Sequence, residues 1–183
     1  MRRVISLLVL TLLSACAHSS HTSTLVQSLN AEILASSSAT RTLEKWCGEH
    51  HMADDPKIVA IRLSTPPKTP TTDQLQRLDV HDASEVTYRR VQLRCGTHVF
   101  SEADNWYVPA RLTPEMNALL TTTDTPFGKV VSSLHPYRRT IDATMLHTRK
   151  ELFRHRAVLY TEEHKPFSEV VETYQAELLA FEH

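Results

Sequence analysis

The stretch TYRRVQLRCGTHVFSEADNWYVP, residues 87–109, decides the fold that this sequence predicts. Three apolar residues of its first half alternate with polar ones: Val91, Leu93 and Cys95. That period of two is expected of a strand that packs one face on a core. Gly96 follows, where a tight turn needs conformational freedom, and a second strand-like run leads to Pro109. The stretch therefore predicts a β-hairpin, in which Arg90, by its residue type alone, is a solvated strand residue.

Length and composition limit the chain to one domain of ordinary size. It has 183 residues, of which 41% are hydrophobic, and a formal net charge of −1. Such a chain can bury a core and is not composed like a disordered one. The balanced charge gives no electrostatic reason for a nucleic-acid partner, and we expect none. With 3 glycines, the glycine-rich loops that bind phosphates are excluded, and the GxSxG and HExxH motifs are absent as well.

The N-terminus reads as a targeting segment. Two arginines precede an apolar run over residues 4–13, which is too short for a membrane span and suits a secretory signal. The run ends in Leu13-Ser14-Ala15-Cys16, which resembles the lipobox of bacterial lipoproteins and implies that Cys16 carries lipid. We expect a signal peptide over residues 1–16 and a polar linker over 17–23, with a simple signal peptide as the alternative. Ala17, in place of Asp, favours the outer membrane, facing the periplasm, with the lipid as the only membrane contact.

Two cysteines remain in the predicted mature chain, Cys47 and Cys95. An oxidising compartment permits a disulfide between them. The sequence does not show whether their backbones approach closely enough for a bridge, so two small buried thiols are the alternative.

The remaining elements follow from periodicity and from helix-starting and chain-breaking residues. Helices are predicted over residues 24–34, from the serines at 36–38 to Gly48, around Leu75 and Leu78, and from proline-containing starts at 113–115 and 124–128. Strands are predicted over residues 57–64, in two runs within 87–109, and over 137–146, 156–161 and 167–178. Consecutive strands with short connections pair antiparallel. The predicted fold is α+β, with a single domain over residues 24–183, an antiparallel β-sheet of about five to six strands and helices covering one face.

Arginines and one glutamate are the candidate functional side chains. The arginines cluster on two strands: Arg89, Arg90 and Arg94, then Arg138 and Arg139. A buried arginine facing a pocket holds a carboxylate through two parallel hydrogen bonds, although exposed strand faces use arginine too. Glu172 lies between apolar neighbours on a late strand, where burial would favour the neutral acid and let it donate a proton. The alternative is a polar residue on an outer face.

Eleven histidines invite a search for metal ligands. The densest group lies at the end of one predicted helix: Cys47, Glu49, His50 and His51. Adjacent side chains on a regular element rarely bind one ion, because zinc ligands come from spaced positions. We expect no metal and no cofactor.

Four stretches, taken in order, carry a resemblance to a known family. They are Tyr88 to Cys95, Ala103 to Pro109, Thr125 to Lys129 with Tyr137-Arg138 following, and Lys165-Pro166 leading to Val171-Glu172-Thr173. A fainter match lies at Ser38 to Arg41. Together they resemble chorismate lyase, which splits chorismate into 4-hydroxybenzoate and pyruvate, and the superfamily that it shares with the UTRA ligand-binding domains of transcription regulators. Asn105 departs from the lyase pattern, which has an arginine there, and one residue is inserted near Glu172.

The resemblance assigns roles to five residues. Arg90 matches the arginine that holds the ring carboxylate, so it is expected to be buried within reach of Glu172, the matching acid. Ala39 and Phe127 match backbone positions on two helical flaps that close over the ligand, and Arg138 is a further substrate-binding residue. This implies that Tyr88, Arg90 and Gln92 line a pocket while Val91 and Leu93 pack elsewhere.

Three functions are compatible with these features. The first is a chorismate lyase-like enzyme, which acts on chorismate or a related aromatic or carboxylated molecule. The second is a non-catalytic lipoprotein that binds an aromatic carboxylate in the same pocket. The third is a structural envelope lipoprotein whose pocket is filled.

Overall fold

Six strands form the frame that positions the candidate site. The computed structural model describes residues 6–146 and 148–182, with side chains from residue 21 onward. The strands are β1 (Ile58–Arg62), β2 (Thr87–Cys95), β3 (His98–Tyr107), β4 (Tyr137–Met145), β5 (Glu151–Tyr160) and β6 (Pro166–Gln175). They form one open sheet in the order β1-β2-β3-β6-β5-β4, and every neighbouring pair is antiparallel. The predicted α+β fold with an antiparallel sheet is confirmed.

Five α-helices accompany the sheet. They are α1 (Ser6–Ala35), α2 (Ala39–Glu49), α3 (Thr72–Arg77), α4 (Pro114–Thr122) and α5 (Phe127–Val130). The predicted starts of α2 and α4 are confirmed by their caps, in which Ser38 Oγ accepts from Arg41 N at 3.3 Å and Thr113 Oγ1 accepts from Met116 N at 3.2 Å. These hydroxyls satisfy backbone N–H groups that have no partner within the helix.

Helix α1 belongs to a unit of its own, separate from the unit that begins at Ser36. It runs without a break through residues 17–23, where the sequence predicts a polar linker. Residues 1–5 of the predicted signal peptide and the side chain of Cys16 lie outside the described part of the chain. Among the described residues, no helix combines the length and the apolar character that a membrane crossing requires.

A disulfide joins Cys47 of α2 to Cys95 at the end of β2, with the two Cα atoms 6.5 Å apart. This resolves the pairing that the sequence left open. It also ties the C-terminal part of α2 to the strand that carries the arginine cluster.

Apolar clusters cover the two faces of the sheet unequally. On one face, α4 and α5 pack on Tyr107 and Phe167 through Met116, Leu120 and Val130. On the opposite face, Leu78 follows α3 and packs with Val80, Trp106 and Val108. The short helix α3 is held there by Arg77, which donates to both carboxylate oxygens of the buried Glu169, at 2.8 and 3.0 Å.

Strand β5 begins at Glu151, five residues before the predicted start at Arg156. In the added segment, Phe153 and His155 are buried while Arg154 points to solvent. The segment has the alternation of a strand, but its buried face includes a histidine. A search for alternating apolar residues alone therefore misses this part of the strand.

Candidate ligand-binding site

A cavity lies between the sheet, the N-terminal end of α2 and the helix α5. Its volume is about 610 Å³, counting the open space at its mouth. Strands β2, β3 and β6 supply most of the floor: Arg89, Val91, Leu93, Ala103, Asn105, Val170 and Glu172. Arg138 of β4 and Leu159 of β5 complete one side.

Strand register explains why these residues share a face. In the antiparallel ladder, Arg89 pairs with Asn105, and Asn105 pairs with Val170 on its other side. One row along, Val91 pairs with Ala103, which pairs with Glu172. Because paired residues lie on the same side of a sheet and successive residues alternate, this face of β2 consists of Arg89, Val91, Leu93 and Cys95.

The predicted position of Arg90 is wrong. Its side chain is 30% exposed on the opposite face, where Nη2 donates to Glu102 Oε2 at 2.6 Å and Nε lies 3.9 Å from Asp104 Oδ1. Tyr88 and Gln92 lie on that face as well and do not line the cavity, whereas Val91 and Leu93 do. The physical reason is that the apolar face of β2 turns toward the cavity.

Arg89 occupies the position expected of Arg90. It is 6% exposed, and its Nη2 donates to the carbonyl oxygen of Thr125 at 3.4 Å. Its Nε is buried and has no hydrogen-bond partner. Burial, with a further contribution from the nearby Arg62, lowers the pKa of Arg89 to about 10. The signal for this residue was in the sequence, since Arg89 is in phase with Val91 and Leu93.

Arg138 and Glu172 form a buried ion pair at the other side of the cavity. Arg138 Nη1 donates to Glu172 Oε2 at 2.7 Å, and each side chain is 8% exposed. The Tyr174 hydroxyl donates to the same oxygen at 3.2 Å. Arg138 Nε and Nη2 are buried without a hydrogen-bond partner. Arg138 and Tyr174 therefore both bond to Oε2 of Glu172, the residue that the resemblance predicts to act as an acid.

The groups around this ion pair have perturbed pKa values. Burial is the largest single influence on the pKa of Arg138 and would lower it, but the attraction of Glu172 and Tyr174 and the hydrogen bond to Glu172 together outweigh burial, so the pKa is raised. Burial raises the pKa of Tyr174 well above its usual value. Burial, reinforced by the charge of Arg138, lowers the pKa of His155 to about 4, so this buried imidazole is neutral at pH 7.

Two helix ends form the roof. The N-terminal residues of α2, Ser38 to Thr40, and the first two residues of α5, Phe127 and Gly128, line the cavity. A Cβ atom on Gly128 would lie 3.5 Å from Thr40 Oγ1, so the two helices approach each other closely here. The predicted flap residues Ala39 and Phe127 are therefore in the same cavity as Glu172 and Arg138.

Asn105, which departs from the lyase pattern, and a register shift between β5 and β6 both lie close to the cavity. Asn105 is buried in the cavity floor, where its Oδ1 accepts from the Ser168 hydroxyl at 2.5 Å. The register between β5 and β6 shifts at Leu159 and Tyr160, which pair with Ser168 and Pro166. This shift leaves Phe167 as an extra residue on β6.

Within the described residues, no group of three or more His, Cys, Asp or Glu side chains is placed to hold a metal ion. Cys47, the one thiol in the histidine-rich segment, is in the disulfide. The chemistry that the cavity offers is hydrogen-bond donation from two buried guanidinium groups.

Comparison with known proteins finds a relative with a similar sequence and several solved structures with a similar fold. The uncharacterized protein y4mC from Sinorhizobium fredii is 38% identical over 179 residues, covering 85% of this chain and 76% of that protein. The effector domain of PhnF from Mycobacterium smegmatis has a TM-score of 0.54 at 12% identity, covering 77% of this chain and 90% of that domain. A longer PhnF structure has a TM-score of 0.51 at 11% identity, covering 66% of this chain and 59% of that protein. No family model matches.

At these identities the solved structures show the fold alone, which this chain shares with the effector domain of PhnF. The solved structures also correct the prediction that nucleic acid is excluded as a partner. The structural neighbours are transcriptional regulators that act with DNA as full-length proteins. A balanced net charge is therefore no ground for excluding nucleic acid as a partner.

Proposed function

This chain belongs to the family of the uncharacterized protein y4mC, and we propose that it binds a small carboxylated molecule in the cavity between β2, β6 and α2. The observation that carries the proposal is a set of three buried guanidinium nitrogens without partners: Arg89 Nε, Arg138 Nε and Arg138 Nη2. Leaving a buried donor unsatisfied costs about 1–3 kcal/mol, and more for a charged group. A carboxylate would satisfy such donors with short, charge-assisted hydrogen bonds.

The rest of the cavity supports an apolar ligand body. Between the two arginines, the lining is formed by aliphatic and aromatic side chains: Val91, Leu93, Phe127, Leu159 and Val170. Such a lining with a few convergent polar groups is typical of small-molecule sites. The N-terminal end of the eleven-residue helix α2 adds partial positive charge at the roof. The use of this fold as the effector domain of PhnF agrees with a binding role.

Substitution of the two neighbouring arginines tests the proposal. We expect Arg89→Met to weaken binding of 4-hydroxybenzoate at least about tenfold, because charge-assisted hydrogen bonds are worth about 1.5–3 kcal/mol. Arg90→Met is the matched control and should change the dissociation constant less than about twofold, because Arg90 lies on the other face of the sheet. Isothermal titration calorimetry measures both. Loss of binding in the Arg90 variant alone would contradict the assignment.

A second candidate function is elimination of pyruvate from chorismate. The observation that favours it is that four of the five positions matching the lyase pattern line one cavity, namely Ala39, Phe127, Arg138 and Glu172, while Arg90 does not. Catalysis would require a proton for the departing ether oxygen, so Glu172 would have to become neutral when substrate displaces Arg138. Incubating the protein with chorismate and following 4-hydroxybenzoate distinguishes the two functions. Release at the uncatalysed rate, with 4-hydroxybenzoate still binding, would leave the binding function alone.

The location of the protein is a further part of the proposal. The lipobox-like Leu13-Ser14-Ala15-Cys16 supports a lipid anchor on Cys16, in the cell envelope and at the outer membrane facing the periplasm. The Cys47–Cys95 disulfide agrees with this, because disulfides persist in oxidising compartments such as the periplasm.

A further inference from the structure

We infer that Glu172 makes this cavity selective for ligands with a single negative charge. The single anionic group of the ligand binds at Arg89. A neutral hydrogen-bond acceptor at the other end of the ligand contacts Arg138. The inference rests on the proposed carboxylate-binding function and assigns its ligand class, an apolar molecule with one acid and one uncharged acceptor such as an ester, ketone or hydroxyl.

The two arginines are separate attachment points. Arg89 is on β2 and Arg138 is on β4, with three strands between them in the sheet. Four strand spacings put their backbones about 19 Å apart. Arg138 spans β5 to reach Glu172 on β6, while Arg89 hydrogen-bonds to Thr125 at the start of α5. The charges of Arg62 and Asp124 lie close enough to influence the pKa of Arg89.

The charges at these two points are unequal. Arg138 is already neutralised by Glu172 at 2.7 Å, and the Tyr174 hydroxyl holds that carboxylate in place. In the described part of the chain, no carboxylate lies within ion-pair distance of Arg89. Arg89 therefore has no ion-pair partner among these residues, whereas Arg138 has one, and one carboxylate on the ligand would pair with Arg89.

The hydrogen-bonding capacity at Arg138 remains after its charge is balanced. Nη1 is used by Glu172, but Nε and Nη2, which lie along one edge of the guanidinium group, are buried without partners. A neutral oxygen accepts from this edge without adding charge. A second ligand carboxylate would share Arg138 with Glu172 and bring two like charges together in a buried site, where they disfavour each other.

Matched diacids and their monoesters test the inference on the whole chain by calorimetry near neutral pH. We expect monomethyl terephthalate to bind at least ten times more tightly than terephthalate, and monomethyl succinate more tightly than succinate. Glu172→Gln frees the charge of Arg138, so the preference for the monoester should fall at least tenfold. Glu102→Gln, which removes a carboxylate paired with Arg90 on the other face, is the matched control and should leave the preference unchanged.

A second variant keeps the test decisive if Glu172→Gln does not fold. Arg138→Met removes the donors that the neutral acceptor of the ligand would use, so monomethyl terephthalate should lose its advantage over benzoate while benzoate itself still binds. Equal binding of monoester and diacid by the wild type, or an unchanged advantage in the Arg138 variant, overturns the charge selection but not carboxylate binding. Failure of both benzoate and the monoesters to bind overturns the proposed function, and this inference with it.

Discussion

At the scale of single residues, the site depends on which of two adjacent arginines faces the cavity. A shift of one position moves a side chain to the opposite face of a strand, so Arg89 and Arg90 have opposite surroundings. The resemblance to the lyase pattern selects Arg90, but the alternation of Val91 and Leu93 already places Arg89 on the buried face. For a buried arginine in a strand, the phase of the apolar residues is the stronger guide.

His155 gives a prediction for pH dependence. Its pKa is lowered from 6.5 to about 4 by burial and by Arg138, so between these values the unfolded chain binds a proton that the folded chain does not. Stability is therefore lost as the pH falls from about 6.5 to about 4, by on the order of 1–3 kcal/mol from this residue. Urea denaturation across this range should give a flatter profile for His155→Gln than for wild type.

The exposed His81→Gln is the control for that profile and should follow the wild type. Carboxylates protonate in the same range in all three proteins, so only the difference between profiles reports on His155. Identical slopes for wild type and His155→Gln would contradict the prediction.

At the scale of elements, α2 forms part of the cavity roof and is attached to the sheet at several points. Its Glu44 accepts from the backbone N–H of Ile58 at 2.9 Å and forms an ion pair with Lys129 of α5. Trp46 donates to the carbonyl oxygen of Leu178 at 2.9 Å. The disulfide of Cys47 adds a covalent attachment to β2. These contacts fix the middle and C-terminal part of α2 to the rest of the fold. Because the helix is continuous, they also fix the position of its N-terminal end, which lines the cavity.

Loss of the disulfide should destabilise the protein substantially. The bridged residues are 48 positions apart, and loop-closure entropy for a loop of that length corresponds to about 4 kcal/mol. We expect Cys47→Ser with Cys95→Ser, made in a Cys16→Ser background, to lower the free energy of unfolding by about that amount in urea titrations. The Cys16→Ser protein treated with a reductant should lose a similar amount. If the double variant and the reduced protein were as stable as the oxidised protein, the other contacts of α2 would be enough to maintain the stability and the prediction would be wrong.

At the scale of the whole molecule, the proposed anchor and the ligand-binding unit occupy different parts of the chain. The residues that line the cavity all lie in the unit that begins at Ser36, and Cys16 precedes it. A lipid on Cys16 would therefore be attached to a different part of the chain from the residues that line the cavity.

Metabolic labelling with palmitate tests the anchor. We expect label in the wild type and none in Cys16→Ser, because the thiol of Cys16 is the proposed site of lipid attachment. Ligand affinity measured on the Cys16→Ser protein should equal that of the wild type in detergent. Label that persists in Cys16→Ser would contradict lipid attachment at Cys16.

The sequence by itself determined the hairpin, the antiparallel sheet and most helix starts, because alternation, capping residues and turn residues act over a few neighbouring positions. Four of the predicted site residues, Ala39, Phe127, Arg138 and Glu172, line one cavity, although their roles remain predictions. Only the tertiary structure decided that the face of β2 that carries Arg89 lines the cavity, that Glu172 is paired with Arg138, and that Cys47 meets Cys95. These facts depend on strand order and on which face of the sheet the helices cover, and both are set by contacts between residues distant in the chain.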